Sequence, residues 1–256
     1  MIEQRRTPLR PKVRLELIDA LRGFTLLNML IFHLLYDLTA LFGVPMDWFW
    51  QTPGRLWQKL IAGSFIFLSG FSIRFSRSSL RKGLMLLGCG MLLSLVTWLV
   101  MPSQLIRFGV LHFLGAAALL WIVVRPAAER ISPPVLLIAG LLLYLITLPT
   151  QSGYWGIGDW RVALPQFLYA GQWLFPLGFP GPGFYSADYF PLLPWFFLFL
   201  AGTAANRIAL GSERIQRALR RPLPLLSPLG RHTLIVYLLH QPILYALCWL
   251  WFSAVR

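Results

Sequence analysis

The chain has 256 residues, of which 57% are hydrophobic and only 12% charged, whereas soluble domains carry about 25% charged residues. Eleven Trp and 19 Phe push the same way and exclude an ordinary soluble domain. A formal charge of +14 would suit a nucleic-acid partner, but the basic residues follow membrane topology, so no nucleic acid is expected.

Residues 1–13 read as a basic cytoplasmic segment and 14–253 as a single membrane domain. The first apolar run, "RLELIDALRGFTLLNMLIFHLLYDL" (Arg14 to Leu38), is too long for the core of a cleavable leader. Apolar stretches at 17–41, 57–74, 83–101, 108–124, 133–149, 190–208 and 232–253 each approach the ~20 residues that cross ~30 Å of hydrocarbon. The expected fold is all-α, a polytopic bundle of about seven transmembrane helices with a cytoplasmic N-terminus. With that orientation the outside receives only Arg55, Lys59, Arg107, Arg161 and Arg256 of the 23 Lys and Arg residues. Such a bias is the positive-inside signature of a multi-pass protein of a bacterial inner membrane, with anionic lipid as its surroundings.

The inner linkers are short and basic, "RFSRSSLRKG", "RPAAERISPP" and "NRIALGSERIQRALRRPLPLLSPLGR", and the third should carry an amphipathic surface helix around Ser212–Arg221. The external connection 149–189 is dense in Trp, Tyr, Gly and Pro. Its section 163–178 is apolar enough for a re-entrant or interfacial segment. Internal repeats are absent from the sequence, which weakens a transporter built from duplicated halves. Cys89 and Cys248 fall inside predicted spans and read as small apolar residues.

The first helix places Asp19, Arg22, His33 and Asp37 within a band about 60° wide, a polar stripe that should face protein or water rather than lipid. Asp19 and Arg22 are i,i+3 neighbours near the inner edge and suit a local ion pair. His33 lies about 18 Å deep, with Asp37 one turn further out to orient its ring. Ionisable groups at such depth are costly and mark candidate sites. His112 enters from the outer face, and His240 lies near the midplane beside Gln241. Pro242 should kink that helix by freeing the carbonyl of Leu238. Ser186 and Asp188 sit at the outer mouth of the sixth span and could hold a sugar hydroxyl or amine, or simply charge a helix start. No His-x-x-x-His or Cys-x-x-Cys spacing suggests a metal, and neither a phosphate loop nor a Gly-x-Ser-x-Gly elbow is present.

The block Arg14…Asp19–Ala20–Leu21–Arg22–Gly23…His33 resembles the opening signature of multi-helix membrane acyltransferases. Within them it most resembles bacterial relatives of the catalytic domain of heparan-α-glucosaminide N-acetyltransferase. The blocks "GSFIFLSGFSIRFSR", "IRFGVLHFLG", "GFYSADYFPLLPWFFLFLAG" and "LGRHTLIVYLLHQP" extend the resemblance over roughly 14–246. It implies transfer of an acetyl group from cytoplasmic acetyl-CoA, with no metal, to an extracytoplasmic sugar amine or hydroxyl of a carbohydrate or glycolipid. It also implies that His33 takes part, as general base or acyl carrier. Eukaryotic members carry a further histidine after this helix, where "FGVPMDWFWQTPGRLW" offers only Asp47. On this reading His240, Gln241 or His112 would donate to the oxyanion. Arg22, Arg74, Arg77 and Arg81, with Lys82, would meet the phosphates of CoA. Oligomerisation stays open. The competing expectations are a proton-coupled transporter or flippase of a lipid-linked glycan, using His33, Asp37 and His240 as a relay, and a membrane scaffold.

Overall fold

The computed structural model describes residues 14–255; the basic segment 1–13 lies outside the described residues. The chain is almost wholly helical. In order come α1 (Glu16–Tyr36), which runs on into a π-helical turn at Asp37–Leu41, α2 (Asp47–Trp50), α3 (Thr52–Ile73), α4 (Ser79–Val100) and α5 (Val110–Arg130). After α6 (Pro133–Thr147) a hairpin of β1 (Tyr154–Ile157) and β2 (Trp160–Ala163) intervenes, and then come α7 (Leu192–Leu210), α8 (Glu213–Leu219), α9 (Leu226–Arg231) and α10 (Thr233–Val255). Seven of these helices are long and apolar enough to cross a membrane: α1 with its π turn, α3, α4, α5, α6, α7 and α10. The protein is an all-α, polytopic membrane protein.

Local chemistry explains the boundaries. Ser78 caps α4 by accepting from the Arg81 N–H at 3.1 Å, and Ser212 caps α8 through Ile215. Pro133 and Pro134 open α6, where a missing N–H costs nothing. The helix of the fourth span, expected over 108–124, runs on through Pro126 to Arg130, where Arg207 satisfies the carbonyls of Ala128, Glu129 and Ile131 at the C-terminal end. Pro242 lies inside α10, which continues through it to Val255.

Two compact units emerge: the chain up to Gly43 together with Ser212 onward, and Val44–Gly211. In the larger unit α3 packs on α7 through a reciprocal pair of glycines. A Cβ on Gly70 would meet the Phe199 carbonyl oxygen at 2.0 Å, and one on Gly202 the Phe67 oxygen at 2.1 Å. Small residues let two backbones approach where no hydrophobic force separates helix from lipid. One end of this unit gathers Arg74, Arg125 and Arg207 around Glu129, with Arg74 and Arg125 bonding its carboxylate at 2.9 and 2.8 Å.

At the other end lies the long connection. Its section 163–178 forms no re-entrant helix but two short 3₁₀ turns, Gln166–Tyr169 and Phe175–Leu177. Pro165, Gly171, Pro176 and Gly178 interrupt any longer run. Trp173 is left 87% exposed. The aromatic density has a polar purpose: Tyr169 donates to the Thr150 carbonyl, Tyr189 to that of Phe175 at 2.5 Å, and Tyr185 to that of Ser103 at 3.0 Å. These hydroxyls satisfy loop carbonyls that no ladder reaches.

Candidate functional site

In the smaller unit α1 crosses α9 at another pair of glycines. A Cβ on Gly230 would stand 1.7 Å from the Asp19 carbonyl oxygen, and one on Gly23 2.1 Å from that of Leu226. Around this contact Asp19 accepts from Arg14 at 2.6 Å and Arg22 at 2.9 Å, and Glu16 holds Arg231 at 2.8 Å. The Asp19–Arg22–Gly23 block is thus a helix-crossing device: the carboxylate neutralises two guanidinium groups while the glycine admits the neighbouring backbone.

The polar stripe of α1 faces inward. Leu21, Phe24, Leu27 and Ile31 form its exposed side, while Asp19 and Asp37 are buried on the opposite one. His33 is half-buried, and its ring stands against that of His240, with centroids 4.6 Å apart and planes at 67°. Phe32 and Tyr36 present edges to the same imidazole. One turn on, the π turn carries Asp37 fully inside, at 0% exposure. Such a turn inserts one residue into the ladder and re-aims the side chains after it. Its far end is anchored on α10 by Phe42, stacked on Phe252 at 4.9 Å.

Asp37 does not orient His33. Its Oδ1 accepts from Gln241 Nε2 at 2.5 Å, and neither its Oδ2 nor His33 Nδ1 has a hydrogen-bond partner among the described residues. The expected carboxylate–imidazole pair is replaced by a carboxylate–carboxamide pair, although the Asp37 N–H still bonds the His33 carbonyl in α-helical register. His240 Nδ1 lies 2.5 Å from the Tyr237 carbonyl oxygen. His240 Nε2 and Gln241 Oε1 are buried without partners. Four unsatisfied polar atoms, on His33, Asp37, His240 and Gln241, therefore converge where α1 meets α10. Buried polar atoms are nearly always bonded, so this cluster is the candidate site of the unit.

The remaining candidates lie in the unit Val44–Gly211. His112 is buried, stacked on Phe108, with Nε2 3.2 Å from Ser94 Oγ. Ser94 gives its own hydrogen to the Ile106 carbonyl at 2.6 Å. His112 must then be the donor in this pair, and the chain Nε2–H to Ser94 to Ile106 pins the turn between α4 and α5. The serine is not activated as a nucleophile. A lone serine in an apolar helix was the only sequence signal for this partner.

Asp188 Oδ2 accepts from the Val110 N–H at 3.0 Å, so it charges the start of α5, not that of its own following helix. Burial pushes this carboxyl up to about 6, partly offset by that N–H. Ser186 accepts from the Arg107 N–H at 3.0 Å and donates to the Asp188 carbonyl at 2.6 Å. Asp47 is exposed in the first turn of α2.

The four arginines divide. Arg22 is paired with Asp19 and Arg74 with Glu129, whereas Arg77 and Arg81 are exposed and without an ion-pair partner among the described residues. Among those residues no three His, Cys, Asp or Glu side chains are arranged to hold a metal ion. Two pockets, of about 410 and 290 Å³, open beside Lys59, Leu148 and Ser152; the second reaches Tyr189 and Phe190, and neither is lined by His112, Ser186 or Asp188.

The blocks that carry the sequence resemblance pack in pairs. Asp19–Gly23 meets Leu226–Arg231, Gly63–Arg77 meets α7, and Ile106–Val110 runs beside Ser186–Phe190, with the Phe190 N–H on the Phe108 carbonyl at 2.9 Å. Curated proteins and solved structures give no significant match. The family model described as heparan-alpha-glucosaminide N-acetyltransferase, catalytic, matches residues 14–242, which span all of these blocks and His33, Asp37 and His240. The chain belongs to that family of membrane acetyltransferases.

Proposed function

We propose that the protein moves an acetyl group from cytoplasmic acetyl-CoA across a bacterial inner membrane to the amine or hydroxyl of an extracytoplasmic carbohydrate or glycolipid. His33 is the point of transfer. The observation that supports this reading is the cluster of unpartnered polar atoms on His33, Asp37, His240 and Gln241 in a chain of an acetyltransferase family. Acyl transfer needs a base for the acceptor's proton and a donor for the oxyanion that forms on the thioester carbonyl. His33 offers a half-buried imidazole for the first task, as a base or as the nitrogen that carries the acetyl group between two steps. Asp37 fixes the Gln241 carboxamide from behind, and Gln241 keeps a second N–H for the oxyanion.

The exposed, unpaired Arg77 and Arg81 are the groups suited to the phosphates of CoA, since Arg22 and Arg74 already serve carboxylates. Asp188 and Ser186, tied to backbone N–H groups, are better suited to shape the outer loops than to grip an acceptor through free oxygens.

The test is transfer of radiolabel from [¹⁴C]acetyl-CoA to glucosamine or envelope glycans by purified protein. His33→Ala should abolish transfer while expression and membrane insertion stay intact. Full transfer by that variant sinks the assignment. Movement of a lipid-linked glycan driven by a pH gradient, with no use of acetyl-CoA, would favour a proton relay through the same residues.

A further inference from the structure

We propose that His240 is the proton acceptor for His33, not an oxyanion donor; this rests on the reading of His33 as the point of transfer. The argument begins with a carbonyl. His240 Nδ1 lies 2.5 Å from the Tyr237 oxygen, which can only accept, so Nδ1 carries the hydrogen. A neutral imidazole has one N–H, and Nε2 is therefore left with its lone pair. That nitrogen is buried and has no partner among the described residues.

A bare, buried acceptor is costly unless something delivers a proton to it. The neighbour placed to do so is His33, whose ring stands 4.6 Å away, centroid to centroid, and whose Nδ1 is likewise unpartnered. The other polar groups close by, Asp37 and Gln241, are bonded to each other at 2.5 Å. The backbone thus sets the tautomer of His240, and the tautomer sets its role.

The step balances. As the acceptor's amine nitrogen or hydroxyl oxygen attacks the thioester carbonyl, its proton passes to the lone-pair nitrogen of His33. The N–H proton of His33 passes to His240 Nε2. The new C–N or C–O bond forms, the C–S bond breaks, and the leaving thiolate takes the proton from the His240 imidazolium. His240 returns to its starting state, His33 ends the step as its other tautomer and exchanges a proton with solvent before the next turnover, and nothing is oxidised or reduced.

Asparagine at 240 separates this role from packing, since its carboxamide can still donate to the Tyr237 carbonyl but has no base at the Nε2 position. With [¹⁴C]acetyl-CoA and glucosamine, His240→Asn should lower kcat by about 100-fold, with KM for acetyl-CoA held within about twofold. His240→Ala opens space for a free imidazole, and added imidazole should raise its kcat at least about tenfold. A kcat near wild type in His240→Asn, or a loss in His240→Ala that imidazole leaves unchanged, overturns the proposal. Wild-type protein that transfers no acetyl group overturns the reading of His33 itself, and the relay with it.

Discussion

Replacing Gln241 by leucine probes the junction of α1 and α10 most directly. Asp37 is fully buried, and its Oδ1 accepts from Gln241 Nε2 at 2.5 Å while Oδ2 has no partner among the described residues. Leucine strips that donor and leaves a polar group desolvated with nothing in return, a loss of about 1–3 kcal/mol. For a chain of this size each kcal/mol moves the midpoint by roughly 2–4 °C, so Gln241→Leu should melt about 2–12 °C below wild type in detergent. Asp37→Asn is the control. Its amide can bond to Gln241 Oε1, now without a partner, and should stay within about 1 kcal/mol of wild type. The double change Asp37→Leu with Gln241→Leu removes both polar groups and should be less destabilised than Gln241→Leu alone, a coupling of at least about 1 kcal/mol. Intrinsic fluorescence during a thermal ramp reads these proteins and the Asp37→Leu single variant that closes the cycle. A wild-type midpoint for Gln241→Leu, or simple additivity in the double variant, would show that the buried pair is not what joins these helices.

Other outcomes follow from the same geometry. Gly230→Ala forces a methyl against the Asp19 carbonyl, and its expected cost of at least about 2 kcal/mol, read by the same ramp, should appear as a separation of α9 from α1. Asp188 titrates higher in the folded protein, about 6, than a free carboxyl would. The folded state therefore holds more protons between about pH 4 and 6, stability falls as pH rises through that window and levels off above it, and Asp188→Asn should flatten this slope in a melting series. Arg77→Ala with Arg81→Ala should raise KM for acetyl-CoA by about tenfold and leave kcat near wild type, whereas Arg74→Ala, which removes one of the two guanidinium partners of Glu129, should act mainly on the melting midpoint. An unchanged KM in the double arginine variant would remove these residues from the donor site.

Much of the fold is legible in the chain. The hydrocarbon thickness demands about 20 apolar residues per span, so composition and length locate the seven helices within a few residues. The 3.6-residue period places Asp19, Arg22, His33 and Asp37 on one face of α1, and the exposed Leu21, Phe24, Leu27 and Ile31 lie opposite. Both features depend only on neighbours along a helix. The partners of that face are another matter. Gln241 rather than His33 as the mate of Asp37, the Tyr237 carbonyl that fixes the His240 tautomer, and the Ser94–His112 tie all join residues through a π turn, a local carbonyl or a helix crossing that no period encodes. Gly63 meets only side chains, whereas Gly23 and Gly230, Gly70 and Gly202, and Gly83 and Gly115 lie against the backbone of a facing helix, because which helices touch is settled by packing over the whole chain.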